Sequence, residues 1–227
     1  MYKLWCFGDS FTYGHGCRPG YEYYDKYPDN RGLLWTEVIA NTLKLKQKNL
    51  GIPGNSNPNI TNQVLKNLTK IKKKDVVILS DTLPYRTLLF DSHTDQIAPI
   101  TTDILILPEN SNLENDFFNQ RYFKTNKEKE VFLDYIYSFK LPYENKWREY
   151  YEKQLMYIQT HLLSLGIETY FWSHKRWDYP SPFETIFKAT EKEVRDGHWS
   201  WKGHQDFSNY LLQRIQKQEY LHNPVLI

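Results

Sequence analysis

The chain has 227 residues, 40% of them hydrophobic and 25% charged, with a formal net charge of +2. That length suits one α/β domain with an ample core, and the composition is that of an ordinary globular protein. So small a net charge argues against nucleic acid or an anionic membrane as the main partner, and no run approaches the roughly 18 apolar residues of a membrane span.

Tyr2 to Phe7 reads as a short buried strand in which Cys6 is a small apolar member. The strand runs straight into Gly8-Asp9-Ser10, which leaves no room for a signal peptide ahead of that tripeptide. The expectation is a cytoplasmic protein, or one released or particle-associated without a cleaved signal. Cys6 and Cys17 make no disulfide framework, and no bridge between them is expected. Leu33, Leu34, Trp35, Val38, Ile39 and Leu43 recur at helical spacing. Leu45 to Leu50 is the second expected strand despite its lysines, and the turn Gly51-Ile52-Pro53-Gly54-Asn55-Ser56-Asn57 follows. Asn57 and Pro58 read as the N-cap and first residue of a helix with Ile60, Val64, Leu65, Leu68 and Ile71 on its inner face. Lys72-Lys73-Lys74 reads as the solvated end of that helix, where cations suit the dipole, rather than as a nucleic-acid patch.

Asp75 to Ser80, with Val76-Val77-Ile78-Leu79, is the clearest buried strand. A helix is expected over Glu144 to Leu165 with Gly166 as its C-cap, then a strand over Ile167 to Trp172. A last helix is expected from Gly203 to Gln218, with Phe207, Tyr210, Leu211 and Ile215 inward. Residues 87–141 break the pattern. They read as an insertion with an extra strand at Ile104 to Leu107, forming a lid or partner-binding element, since so long a stretch is rarely structureless.

Strands alternating with helices predict a three-layer α/β/α sandwich on a parallel, doubly wound (flavodoxin-like) sheet, as one domain over 1–227. Functional loops of such a sheet lie at the carboxyl ends of its strands. Ser10, Gly54, Asp81 and Ser173 all follow strand ends, which places them on one edge.

Three blocks carry a resemblance. Gly8-Asp9-Ser10-Phe11-Thr12-Tyr13-Gly14, directly after the first strand, resembles the first block of the SGNH (GDSL) hydrolases. Asn49-Leu50-Gly51-Ile52-Pro53-Gly54 resembles the second, and Asp196-Gly197-His198-Trp199-Ser200-Trp201-Lys202-Gly203-His204 the last. The resemblance implies ester hydrolysis without a cofactor, with Ser10 as nucleophile, His198 as general base and Asp196 orienting His198. The chemistry is coherent. A serine hydroxyl becomes a good nucleophile when a base takes its proton, imidazole titrates near neutrality, and a carboxylate fixes its tautomer.

The resemblance also assigns the oxyanion-hole donors to the backbone N–H groups of Ser10 and Gly54, where a missing side chain lets substrate approach the backbone. The third-block Asn of that family is absent: the position reads Leu79-Ser80-Asp81-Thr82-Leu83-Pro84-Tyr85-Arg86. Loss of one such donor typically lowers the rate about a hundred- to a thousandfold. Thr82 and Asn55 are the candidate replacements, with Asn57 and Arg86 also within the region. Asp81 is expected to point away or to pair with a cation such as Arg86. Tyr13, Asp9, Arg86 and Trp199 are candidate substrate contacts, and the Tyr21–Tyr27 loop offers rings that could stack on sugars.

His204 competes as the base, but its place at the start of the last helix favours packing or capping. His174, with Asp178 nearby, reads as a polar loop histidine, His15 as a pocket neighbour, and His93 lacks partners. Asp196, His198 and His204 imitate a metal set without paired cysteines or a His-Glu-x-x-His pattern, so no metal is expected. The sequence therefore points to a serine esterase acting on a small-molecule or carbohydrate ester, acetyl being the favoured acyl group. The second reading is a catalytically weak module of the same fold that docks on a glycan or, through residues 87–141, on a protein assembly.

Overall fold

The structure is a computed structural model that describes residues 1–19, 32–84, 86–91, 96–100, 122–173 and 198–218. Its elements are β1 (Lys3–Phe7), α1 (Ser10–Tyr13), α2 (Trp35–Thr42), β2 (Lys46–Asn49), α3 (Asn57–Asn67), β3 (Val76–Ser80), β4 (Thr87–Asp91), β5 (Gln96–Ile100), α4 (Asn126–Tyr135), a π-helix (Ile136–Lys140), α5 (Glu144–Ser164), β6 (Glu168–Trp172) and α6 (Trp201–Gln216).

Four strands form a parallel sheet in the order β2-β1-β3-β6. The central strands carry the apolar runs Leu4–Phe7 and Val76–Leu79 because helices cover both faces. Alternate residues of β1, β3 and β6 point to opposite sides. Leu4, Cys6, Val76, Ile78, Tyr170 and Trp172 pack with Trp35 and Ile39 of α2 and with Phe207, Leu211 and Ile215 of α6. Trp5, Phe7, Val77, Leu79 and Phe171 pack on the other side with Ile60 and Val64 of α3 and Leu155 and Leu162 of α5. This is the expected three-layer α/β/α sandwich. β2, Lys-Gln-Lys-Asn, tolerates its charges because it is the edge strand and alternates exposed with half-buried residues.

Several boundaries differ from the sequence reading. Ser56, not Asn57, is the N-cap of α3, and Pro58 is its second residue. The Asn57 amide is drawn instead to Thr82, donating to its carbonyl at 2.9 Å and accepting from its N–H at 2.9 Å. α3 ends at Asn67 and a 3-10 turn carries the chain to Lys70, so Lys72-Lys73-Lys74 form the turn into β3 rather than a helix end. That turn is organised by Asp75, whose carboxylate accepts from the N–H groups of Lys72 and Lys3 and from the Trp5 indole. Leu65, expected inward, is 54% exposed. α6 begins two residues early because the Ser200 hydroxyl caps it by accepting from the Gly203 N–H.

Within 87–141 the described chain forms an antiparallel hairpin, β4 with β5, then α4 and the π-helix; the strand expected at Ile104 to Leu107 lies outside the described residues. Cys6 and Cys17 are both free and buried, and burial pushes the Cys6 thiol pKa up. Among the described residues, no helix is long and apolar enough to cross a membrane.

Candidate active site

The turn after β1 is built around Asp9. Its carboxylate Oδ1 accepts from the Phe11 N–H at 3.1 Å, which caps α1 and starts that helix at Ser10. Oδ2 accepts from the Thr82 hydroxyl at 2.9 Å and lies 3.4 Å from Nη1 of Arg86. Arg86 also donates to the Thr82 oxygen at 2.9 Å. Asp9, Thr82 and Arg86 are all buried, so the ion pair works with little solvent screening. The three residues tie the Gly8-Asp9-Ser10 turn to the loop after β3, and Asn57 ties that loop to the start of α3. Asp9 and Arg86, expected as substrate contacts, thus spend hydrogen bonds on each other.

Asn55, fully buried, locks the second loop onto the first. Its amide donates to the Gly8 carbonyl at 2.8 Å and to Gln63 Oε1 at 3.3 Å, and its oxygen accepts from Ser56 and Asn59. Gly51 lies against the backbone of α1: a Cβ there would sit 2.4 Å from the Tyr13 nitrogen and 2.8 Å from the Thr12 carbonyl carbon. Gly54 follows with φ of 68°, in the left-handed region that favours glycine. Both N–H groups of the Asn55 amide, one of the Asn57 amide and the Thr82 hydroxyl are therefore engaged within the scaffold rather than at the oxyanion position that the missing third-block Asn would serve.

The last block meets the first through His198 and Trp199. The His198 ring is 4.9 Å from the Phe11 ring and 4.5 Å from the His15 ring, centroid to centroid. These two residues bracket Ser10 on the C-terminal side, and the His15 N–H donates to the Ser10 carbonyl at 3.0 Å. The Cys17 thiol donates to the Trp199 carbonyl at 3.3 Å, pinning the two segments together. Half-buried His198 thus faces the short helix that begins with Ser10, itself 3% exposed. Among the described residues the Ser10 hydroxyl makes no hydrogen bond.

Trp199 is 2% exposed and packs on Trp172, Phe207 and Phe11, a core position rather than a substrate contact. Tyr13 is half-buried, with the Arg18 guanidinium 4.5 Å from its ring centroid. His204 sits inside α6, edge-on to Trp199, and is buried; burial first, then His198 and Arg18, holds its pKa down to about 3. A group that stays neutral in this way packs the core and takes no proton at neutral pH. Asp196, His174, Asp178, His93 and the Tyr21–Tyr27 loop lie outside the described residues.

One cluster was not anticipated. Asp81 does not stand alone at the strand end: its Oδ2 is 2.5 Å from the Ser173 hydroxyl, which is also 2.8 Å from Glu152 Oε1. Glu152 was legible in principle. Glu152, Leu155, Gln159 and Leu162 fall on one helical stripe, and an acid on a buried stripe signals a buried polar partner. Among the described residues, no group of three or more His, Cys, Asp or Glu is arranged to hold a metal ion.

No protein-family model matches the chain, and no curated protein matches it. Solved structures that it resembles include a lipolytic protein of the G-D-S-L family from Desulfitobacterium hafniense DCB-2, at 15% identity over 94% of this chain and 99% of that one, with a TM-score of 0.40. A member of the lipolytic G-D-S-L family from Veillonella parvula DSM 2008 matches at 12% identity over 96% and 100%, with a TM-score of 0.39. A single-residue variant of an acetyl xylan esterase from Geobacillus stearothermophilus matches at 14% identity over 94% of each chain, with a TM-score of 0.36. At identities and scores this low, the likenesses assign no activity to this chain.

Proposed function

We infer that this chain is a serine esterase of the SGNH (GDSL) type, acting through an acyl-enzyme on Ser10. The observation that carries the reading is the meeting of three separated segments at one sheet edge. Ser10 begins a capped helix after β1, the Gly51–Gly54 turn lies against that helix, and the His198 ring packs on Phe11 and His15. In this reading Ser10 Oγ attacks the ester carbonyl carbon while His198 takes its proton and Asp196 orients the imidazole. The carbonyl oxygen becomes an oxyanion held by the backbone N–H groups of Ser10 and Gly54. Collapse of the tetrahedral intermediate expels the alcohol, which takes the proton from His198. Water, deprotonated by His198, then releases the acid and restores Ser10.

The substrate class is a small acyl ester, acetyl on a carbohydrate being the favoured case. With the usual third donor absent and the Asn55 and Thr82 donors engaged, turnover is expected about a hundred- to a thousandfold below that of an enzyme with a complete hole. Hydrolysis of a small activated acetyl ester tests this: Ser10→Ala should abolish turnover while the fold survives, and unchanged turnover would sink the assignment. The same engaged donors favour the second reading, a module of this fold with little catalysis. Its signature is a folded wild-type protein with no more activity than Ser10→Ala.

A further inference from the structure

α5 runs antiparallel to β6: Gln159 reaches Thr169, and Glu152 reaches Ser173, one residue past the strand. The residues of α5 before Glu152 therefore overhang the carboxyl edge of the sheet, the side on which Ser10 lies. At about 1.5 Å per residue, its first two turns rise about 12 Å beyond that edge.

These turns and the π-helix before them carry a concentration of exposed rings. Phe139, Tyr143 and Tyr150 are each 50% or more exposed, and with Trp147 and Lys146 they line a groove of about 520 Å³. A second hollow of about 310 Å³, lined by residues 141–146, shares Tyr143 and Lys146 with it. Both volumes are of small-ligand size, and π-helical turns often occur at functional sites. Here the turn lets the Phe139 carbonyl accept from the Trp147 indole at 2.9 Å, fixing the ring in the groove wall. Among the described residues the larger hollow is walled by four rings and one lysine.

The charges decide what kind of ligand suits those rings. An aromatic box ordinarily attracts cations, but here the cations are already supplied. Lys140 Nζ lies 3.5 Å from the Trp147 ring centroid and donates to the Tyr151 hydroxyl at 3.1 Å. Lys146 Nζ lies 5.7 Å from the Tyr143 ring centroid. Lys140 is 3% exposed and has no carboxylate partner among the described residues. Tyr151 cannot serve as its anion, since burial pushes that phenol up to about 12. Glu144, the nearest acid in sequence, is paired with Arg148. The groove therefore combines flat apolar faces with the ammonium of Lys146, while Lys140, whose pKa burial lowers to about 8, lies buried against Trp147.

We propose that this groove binds an anionic oligosaccharide, its pyranose faces stacking on Tyr143, Trp147 and Tyr150 and a uronate carboxylate meeting Lys146. The inference does not depend on Ser10, because the groove holds such a ligand whether or not the esterase reading is right.

The test is titration of the full chain with a short oligogalacturonate, followed by tryptophan fluorescence and calorimetry, with a neutral oligogalactoside of equal length as control. The uronate should bind and its affinity should fall as salt is raised, while the neutral oligomer binds at least about tenfold more weakly. Tyr143→Ala and Tyr150→Ala, both at exposed positions, should each weaken binding about tenfold, and Lys146→Gln should remove most of the salt dependence. All three variants should hydrolyse a small acetyl ester at the wild-type rate. A wild-type protein that binds uronate but hydrolyses nothing would fail the esterase reading and leave this one standing. Absence of uronate binding, equal affinity for the neutral oligomer, or variants that bind as the wild type does would overturn the proposal. It would also be overturned if these variants instead abolished self-association or adhesion to anionic vesicles.

Discussion

The chemistry turns on how one carboxylate, Asp9, is divided between two tasks. One oxygen caps the helix that presents Ser10, and the other holds Thr82 and Arg86. Asp9→Asn keeps a cap acceptor but removes a negative charge that pairs with the buried Arg86 guanidinium. It should destabilise the fold by about 3 kcal/mol in urea denaturation, as expected for breaking a buried pair from one side. Thr82→Val, which removes a neutral hydroxyl from the same cluster, should cost only about 1 kcal/mol. If Asp9→Asn were as mild as Thr82→Val, the ion pair would not be what secures the turn. From sequence, Asp9 and Arg86 looked like substrate contacts because both neighbour the expected reacting centre. Their pairing with each other was not legible, since they stand 77 residues apart and only the parallel β1–β3 register joins their loops.

The elements that were legible are those whose pattern is local. β1 and β3 carry the buried apolar runs Leu4–Phe7 and Val76–Leu79 and β6 ends in the buried run Tyr170–Trp172, and α2, α5 and α6 carry a buried stripe at helical spacing. The errors fell where a tertiary partner overrides a local preference, as when Asn57 bonds Thr82 instead of capping α3. The helix that presents Ser10 has only four residues, too short to be stable alone, so its position depends on what leans on it. Gly51 is the sharpest such contact, because the atoms that an added Cβ would strike are backbone. Gly51→Ala should lower stability by about 1–3 kcal/mol through overpacking and, by displacing the nucleophile, reduce kcat more than it raises KM. A variant with wild-type kcat would show that α1 does not need this support. The first two of the three motif blocks stand directly after β1 and β2, where the sequence put them; what holds the blocks together, Asn55 on Gly8 and Cys17 on Trp199, was not legible.

Across the whole molecule, the apolar layer that α2 and α6 cover carries an aromatic stack running from Phe11 through Trp199 to Phe207, with His204 buried beside it. Folding therefore depends on an imidazole that must stay neutral. Unfolded, His204 takes up a proton near the ordinary 6.5; folded, it resists protonation down to about 3. Between those values the unfolded chain binds the extra proton, so its contribution is complete above pH 6.5 and is lost as the pH falls toward 3. The slope is at most about 1.4 kcal/mol per pH unit. Urea midpoints measured from pH 7 to pH 4 should fall accordingly, and His204→Leu should flatten that part of the profile; an unchanged slope would place the acid sensitivity elsewhere. The same stack brings the His198 segment to the helix that begins with Ser10, and the central claim is that this meeting makes Ser10 reactive. The most direct measurement is labelling of the folded protein with a fluorophosphonate, with the modified residue located by peptide mass spectrometry. Covalent modification is expected at Ser10, none in Ser10→Ala, and strongly slowed labelling in His198→Ala. A folded wild-type chain that is not labelled at Ser10, or that labels equally fast without His198, would contradict it.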